Sequence, residues 1–334
     1  MFIVIEGSDG SGKSSLTSAI SRVIKDMYKG ADLVEFHKGK PEELSRKWVL
    51  NEWTLSIADK NWYQNHAVAD RWHWGEVTYA PIKRPTTCKD SYGLLGTSGW
   101  RWTELFMASR GIAQFWLYQP LEVIQRRVEA RGDDFIRVTE LEAILELYCH
   151  ASNRVHSLAR KLTPSPDSLE EIDDLAKSVV RDAQLISARA AKLAQFPYYI
   201  GPPEPEVLLV GDRPGGKIPF TRMPFFPLEG NSGDFLLGSL PETFWRSCGI
   251  INSSEYVGAS FKELYEVLKR PRIIALGRLA EKALMHSGMY KNEYNVVPHP
   301  QYVRRFHSRD KIEYGQAIQR LSRQITGDDP WILR

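Results

Sequence analysis

The sequence predicts an α/β chain of two units: a doubly wound parallel sheet built around a phosphate-binding loop, then a second α/β domain. Three observations predict it. The apolar run Phe2-Ile3-Val4-Ile5 passes into a glycine-rich stretch and then into helical spacing at Leu16, Ala19, Ile20 and Val23. Strand and helix patterns alternate from there to about residue 194. A Pro/Gly-rich connector then precedes a new buried strand and three further apolar runs, each ending in a glycine or polar loop.

Composition bounds the rest. A length of 334 residues suits about two domains, and 43% hydrophobic with 25% charged residues is ordinary for a globular protein. No apolar run is long enough to span a membrane, and the N-terminus lacks a basic stretch followed by an apolar one. Cys88, Cys149 and Cys248 are too scattered for a disulfide framework or a cysteine-rich metal site. The chain therefore reads as cytoplasmic (host cytoplasm if viral) and without a membrane partner. The net charge of +3 does not announce a nucleic-acid binder, although ten tryptophans and fourteen tyrosines offer surfaces for stacking on bases.

The first element carries the chemistry. Gly7-Ser8-Asp9-Gly10-Ser11-Gly12-Lys13-Ser14 fits G-x-x-x-x-G-K-S/T in the strand–loop–helix context that the pattern requires. Its glycines let backbone N–H groups converge on an anion, and the helix N-terminus adds partial positive charge. With Ser15, these residues form the expected ATP site. Lys13 is expected on the β- and γ-phosphates and the Ser14 hydroxyl on Mg²⁺, so ATP and Mg²⁺ are the expected cofactors.

Asp32–Phe36 reads as a second strand, ending in the polar loop His37–Pro41, and residues 42–60 have helical spacing. A third strand, His66–Ala69, ends in Asp70-Arg71-Trp72, and a fourth apolar run covers Ala113–Tyr118. Pro120 opens a charged helix, Leu121–Arg131, that stops at Gly132; further helices are expected over 139–160 and 168–194. Three features point to phosphoryl transfer. Asp70 would join Ser14 as a metal ligand while Arg71 meets an anion. Arg126, Arg127, Arg131 and Arg137 could form a lid over the phosphates, or a solvated face. Glu35 or His37 could accept the proton of an attacking hydroxyl. The expected catalytic set is Lys13, Asp70, Arg71 and Glu35.

These residues resemble the thymidylate kinase family, over Phe2–Ser15, Asp70-Arg71-Trp72 through Tyr79, and Leu121–Arg137. The resemblance implies that Asp70 and Arg71 contact metal and substrate phosphate. Only 56 residues separate Lys13 from Asp70, and the family's thymine-stacking stretch F-x-A-x-R has no counterpart before this strand. His73-Trp74-Gly75-Glu76-Val77-Thr78-Tyr79-Ala80-Pro81 instead looks like the variant in bacteriophage members.

The boundary falls in Phe196–Pro205, which gives a kinase domain at 1–194, a linker at 195–204 and a second domain at 205–334. There, Val207–Val210 runs into Gly211-Asp212-Arg213-Pro214-Gly215. Ser247–Asn252, Arg272–Gly277 and Tyr294–Pro300 follow. The set resembles the uracil-DNA glycosylase superfamily across most of 205–323. Asp212 falls at the acidic position of the water-activating motif and Phe225, in Pro224-Phe225, at the ring that stacks on a flipped pyrimidine. Asn252 falls at the base-edge reader and His299 in the closing histidine motif. The four cysteines of the iron–sulfur branch are missing, so no cluster is expected. Asp212, Phe225, Asn252 and His299 are thus expected to read a base, with Arg304 and Arg305 placed for backbone phosphates.

Together the resemblances imply a kinase acting on DNA containing a modified pyrimidine, of the bacteriophage type that phosphorylates the hydroxymethyl group of 5-hydroxymethyluracil in thymine hypermodification. The alternative is a thymidylate or other deoxynucleoside monophosphate kinase acting on free nucleotides, fused to a glycosylase or DNA-binding module. A nucleotide-gated DNA binder without catalysis would leave Asp70 and the lid arginines without a role.

Overall fold

Five consecutive buried residues, Phe2–Glu6, form β1 because a strand covered on both faces takes a continuous apolar run. The computed structural model describes residues 1–53, 65–87, 92–132, 136–152, 159–162, 169–213 and 223–323. In chain order the first elements are β1, α1 (Lys13–Met27), β2 (Leu33–His37), α2 (Arg46–Trp53), β3 (His66–Asp70), α3 (His73–Lys83) and α4 (Gly96–Ser109). β4 (Ala113–Leu117), α5 (Leu121–Arg131), α6 (Val138–Ser152), β5 (Ala159–Leu162) and α7 (Leu169–Ala190) follow.

The described residues divide into two compact units: Met1–Gly96 with Arg110–Ala191, and Thr97–Ser109 with Lys192–Arg334. In the first unit all neighbouring strands are parallel, in the order β2-β3-β1-β4-β5. The chain moves out to β2, returns to β3 beside β1, then crosses to β4 and β5, as in a doubly wound sheet. Ile3 and Ile5 of β1 pack with Leu16, Ala19 and Ile20 of α1 and Val179, Val180 and Ala183 of α7. The C-terminal ends of β1 and β3 lie side by side, Ile5 opposite Asp70.

The second unit holds β6 (Val207–Gly211), α8 (Ser232–Ser239), β7 (Cys248–Asn252), α9 (Ala259–Val267), β8 (Arg272–Leu276), α10 (Arg278–His286), β9 (Tyr294–Val297), α11 (Pro300–Phe306) and α12 (Lys311–Leu321). Its sheet is parallel throughout, in the order β7-β6-β8-β9. Each of its four apolar runs became a strand, with Leu208, Val210, Ile251, Ile273, Ala275 and Val296 in one core cluster.

Two elements differ from the sequence reading. Residues 159–162 form the edge strand β5, where a helix was expected to 160. Ala-Arg-Lys-Leu is too short and polar to reveal a strand by alternation. The second is α4, which the sequence reading included in the domain 1–194 and which groups with the second unit. Arg101 accounts for this: its Nη1 donates to the carbonyls of Leu237 and Leu240, both at 2.6 Å, at the C-terminal end of α8. Its Nη2 pairs with Glu242 at 2.7 Å. Trp102 Nε1 donates to Pro224 O at 3.0 Å, and its ring meets Phe226 edge-on. Among the described residues, no helix is long and apolar enough to cross a membrane.

Candidate functional site

The turn out of β1 needs its glycines. A Cβ on Gly7 would sit 2.6 Å from Leu117 O, and Gly12 caps α1 with φ 94°, in the left-handed region that side chains avoid. Lys13 opens α1 and donates from Nζ to Ser8 O at 2.6 Å across the loop. Burial lowers its pKa to about 8, against the opposing pull of Asp70 and Glu6, so the amine stays charged at neutral pH. The hydroxyls of Ser8 and Ser11 are buried with no partner among the described residues, acceptors and donors held ready inside the loop.

The end of β3 completes this site. Asp70 Oδ2 accepts from Ser14 Oγ at 2.9 Å and lies 3.7 Å from His37 Nδ1, while Asp70 Oδ1 is buried without a partner. A hydroxyl and a carboxylate with a spare oxygen suit Mg²⁺, which takes one or two protein ligands and keeps several waters. Among the described residues, no cluster of three or more His, Cys, Asp or Glu forms a metal cage. Arg71 follows with φ 68°, strained for a residue with a side chain. Its N–H donates to Ile5 O at 2.9 Å, and its guanidinium pairs with Asp9 and lies 5.0 Å from the Tyr79 ring centroid. The Tyr79 hydroxyl accepts from Asp9 N at 3.0 Å and donates to Asp9 Oδ2 at 3.2 Å, tying the loop tip to α3.

Lys13, Ser14, Ser15, Asp70, Arg71 and Arg131 thus line one cavity of about 170 Å³, with His37 at its edge. The other predicted residues fall as follows. Arg127 Nη1 donates to Gly10 O at 3.0 Å, so Arg127 and Arg131, one turn apart on α5, both meet the loop region. Arg126 and Arg137 are exposed and outside the cavity lining. Glu35 lies two residues short of the β2 end, 3.8 Å from Lys25 Nζ on α1, so His37 and not Glu35 reaches the cavity.

Arg71 also lines a second cavity of about 240 Å³, floored by Trp72, Gly75, Tyr79 and Ala80. Sequence reasoning missed Glu6, the residue that sets this corner. Its buried carboxyl accepts through Oε1 from Trp72 N at 2.7 Å and Trp74 N at 3.2 Å, bracing the turn that carries Arg71. Burial pushes its pKa up to about 8, so it is mostly protonated at neutral pH. The available signal was an acidic residue ending a run otherwise apolar.

In the second unit, Asp212, Phe225, Asn252 and His299 all line one cavity of about 880 Å³ at the C-terminal ends of the strands. Asn252 is 2% exposed and its Nδ2 has no partner among the described residues. Phe225 adopts φ 47° and its ring stacks on His299 at 5.9 Å. A Cβ on Gly211 would lie 2.4 Å from that ring, which explains a glycine at the end of β6. His299 Nδ1 accepts from Gln301 N at 3.1 Å, capping α11 and leaving Nε2 to carry the proton. Burial lowers its pKa, with Asp212 opposing. Asp212 Oδ2 lies 3.8 Å from Arg213 Nε, and Arg304 and Arg305 join the lining. Pro214 and Gly215 lie outside the described residues.

No protein-family profile and no curated protein matches the chain. Among solved structures it is similar to the YorR protein from Bacillus subtilis in complex with phosphorylated GDP, at 20% identity and a TM-score of 0.41, covering 55% of this chain and 96% of that one. It is also similar to deoxyadenosine kinase from M. mycoides in two complexes. With the products dCMP and dCDP, identity is 14% and the TM-score 0.33, covering 54% of this chain and 99% of the other. With dCTP, identity is 14% and the TM-score 0.35, covering 54% and 100%.

Proposed function

We propose that the chain is an ATP-dependent kinase that phosphorylates the hydroxymethyl group of 5-hydroxymethyluracil in DNA. The observation that carries the kinase reading is the phosphate loop itself, with Lys13, Ser14, Asp70 and Arg71 around one small polar cavity. The acceptor oxygen forms a bond to the γ-phosphorus as the bond to the β,γ-bridging oxygen breaks, and ADP leaves with that electron pair. His37, at the cavity edge, takes the hydroxyl proton. Lys13 stabilises charge on the transferred group, and Arg71, which lines both the phosphate-loop cavity and the cavity beside Trp72 and Tyr79, meets it from the acceptor side. Ser14 and Asp70 would hold Mg²⁺, which supplies charge neutralisation between the phosphates.

DNA as acceptor is supported by the second unit. A buried asparagine with a spare N–H, a phenyl ring and a histidine share a cavity with Arg304 and Arg305, which suits a pyrimidine on a phosphate backbone. The test is to incubate the protein with γ-labelled ATP and either duplex DNA bearing 5-hydroxymethyluracil or free deoxynucleoside monophosphates. Label in the DNA is the expected result. Label only in thymidine monophosphate would reverse the substrate assignment and leave a free-nucleotide kinase.

A further inference from the structure

The cavity shared by Arg71, Trp72 and Tyr79 has an apolar floor and a cationic rim, and the rim cations are not equivalent. Lys83 is paired with Glu140 and Arg84 with Glu76, so their charge is largely spent within the fold. Lys38 and Lys40 lie on the loop after β2. Lys38 Nζ sits 5.1 Å from the Trp72 ring centroid, donates to the backbone carbonyl of Glu52 at 3.2 Å and lies within reach of that residue's negative charge, while staying free of a direct ion pair among the described residues. Lys40 is exposed and has no acidic partner among the described residues. Between them, a Cβ built on Gly39 would meet nothing within 4 Å, so this edge is open.

A free monophosphate brings one phosphate group, and Arg71 already stands where the two cavities meet. Two further lysines on the same rim, neither in a direct ion pair among the described residues, exceed what one phosphate needs. A nucleotide within a strand carries a phosphate on each side, and Lys38 and Lys40, two residues apart on the loop after β2, offer one cation for each. We infer that Lys38 and Lys40 bind the flanking phosphates of a single DNA strand, so that the first unit grips the polymer itself and selects a nucleotide within a strand over a free one. This rests on the DNA-kinase reading and names how its acceptor cavity tells polymer from monomer.

The experiment compares wild type with the Lys38→Gln/Lys40→Gln double variant, and Lys177→Gln, on the exposed face of α7, serves as a charge-loss control. Each is titrated with salt in two assays: binding of a labelled single-stranded oligonucleotide by anisotropy, and kcat/KM on that oligonucleotide carrying 5-hydroxymethyluracil and on the corresponding free monophosphate. Each phosphate contact to a single strand contributes about 0.7 to the slope of log affinity against log salt. Losing two should flatten the slope by about 1.4, with the monophosphate reaction unchanged. Between 50 and 200 mM salt that is about 7-fold less salt sensitivity than wild type. An unchanged slope in the double variant overturns the inference while leaving DNA phosphorylation by wild type intact. Equal losses on both substrates overturn it as well, since the lysines would then serve the single acceptor phosphate. If wild type labels only the monophosphate, the function reading fails; the binding slope still decides whether the lysines hold a strand.

Discussion

Glu6 offers the sharpest test of how the corner at Arg71 is built, because two substitutions of this one residue should behave differently. Glu6→Ala strands the buried N–H groups of Trp72 and Trp74, which now donate to Oε1. At about 1–3 kcal/mol for each unmade bond, the loss is about 2–6 kcal/mol. Arg71 should lose its fixed position with it, and kcat should fall. Glu6→Gln keeps a carbonyl oxygen in the same place and should keep near wild-type activity, with a stability that matches wild type at about pH 4.5. The two proteins then part with pH. Burial raises the Glu6 pKa from 4.5 to about 8, so the folded state keeps a proton that the unfolded chain gives up above pH 4.5. That contribution to stability is complete below pH 4.5 and is lost as pH rises through about 8. At about 1.4 kcal/mol per pH unit this reaches about 5 kcal/mol, an upper bound given the charges of Lys13 and Arg71 nearby. Glutamine does not titrate, so its curve should lack that descent. Urea denaturation of the three proteins at about pH 5, 7 and 9 measures it, with kinase rates taken alongside. A Glu6→Gln curve parallel to wild type would refute the buried, protonated carboxyl. Full stability and activity in Glu6→Ala would refute the bracing role.

Four further substitutions address the chemistry. Lys13→Ala should reduce phosphoryl transfer by roughly 10²-fold or more on any acceptor, as for loss of one preorganised donor; near-normal turnover in the folded variant would remove this loop from catalysis. Asp70→Asn should spare folding, measured by thermal melting, and cut kcat with poor rescue by added Mg²⁺, because shape is kept and charge is not. Retained activity there would make Asp70 a partner of Ser14 and nothing more. Asn252→Ala and Phe225→Ala should weaken binding of 5-hydroxymethyluracil DNA by roughly 5- to 150-fold, since stacking is worth about 1–3 kcal/mol per base. ATP affinity should not move. If both variants phosphorylate DNA at the wild-type rate, the second unit does not serve the reaction.

The parts of the molecule that read clearly from sequence are those in which one residue type has one physical use. Gly7 and Gly12 mark the loop because few other residues fit those dihedrals, and Lys13, Ser14, Asp70 and Arg71 do share a cavity. The four strands of the second unit showed themselves as short apolar runs ending at glycine, asparagine or proline, which is how a sheet covered on both faces is spelled. Arginine was less informative. Four lay close together in sequence, but whether one reaches the loop depends on helix phase, which puts Arg127 and the exposed Arg131 on the loop side and leaves Arg126 off it. The choice between Glu35 and His37 likewise turned on where β2 ends, a matter of two residues. Glu6 was hidden because its task is to satisfy backbone groups dozens of residues away, and that is invisible until β1 and β3 lie side by side.

The position of α4 has a consequence for how the protein is made. The chain passes from one unit to the other at 96–97, returns at 109–110 and leaves again at 191–192, so no single cut separates the units. During synthesis α4 leaves the ribosome about 100 residues ahead of β6, roughly 5–20 s at ordinary elongation rates. Throughout that interval Arg101 and Trp102 lack the carbonyls of Leu237, Leu240 and Pro224 that they will later bind. The nascent first unit must therefore carry an unfinished, tryptophan-rich helix until residues 224–240 arrive. A fragment starting at residue 205 would be born without it.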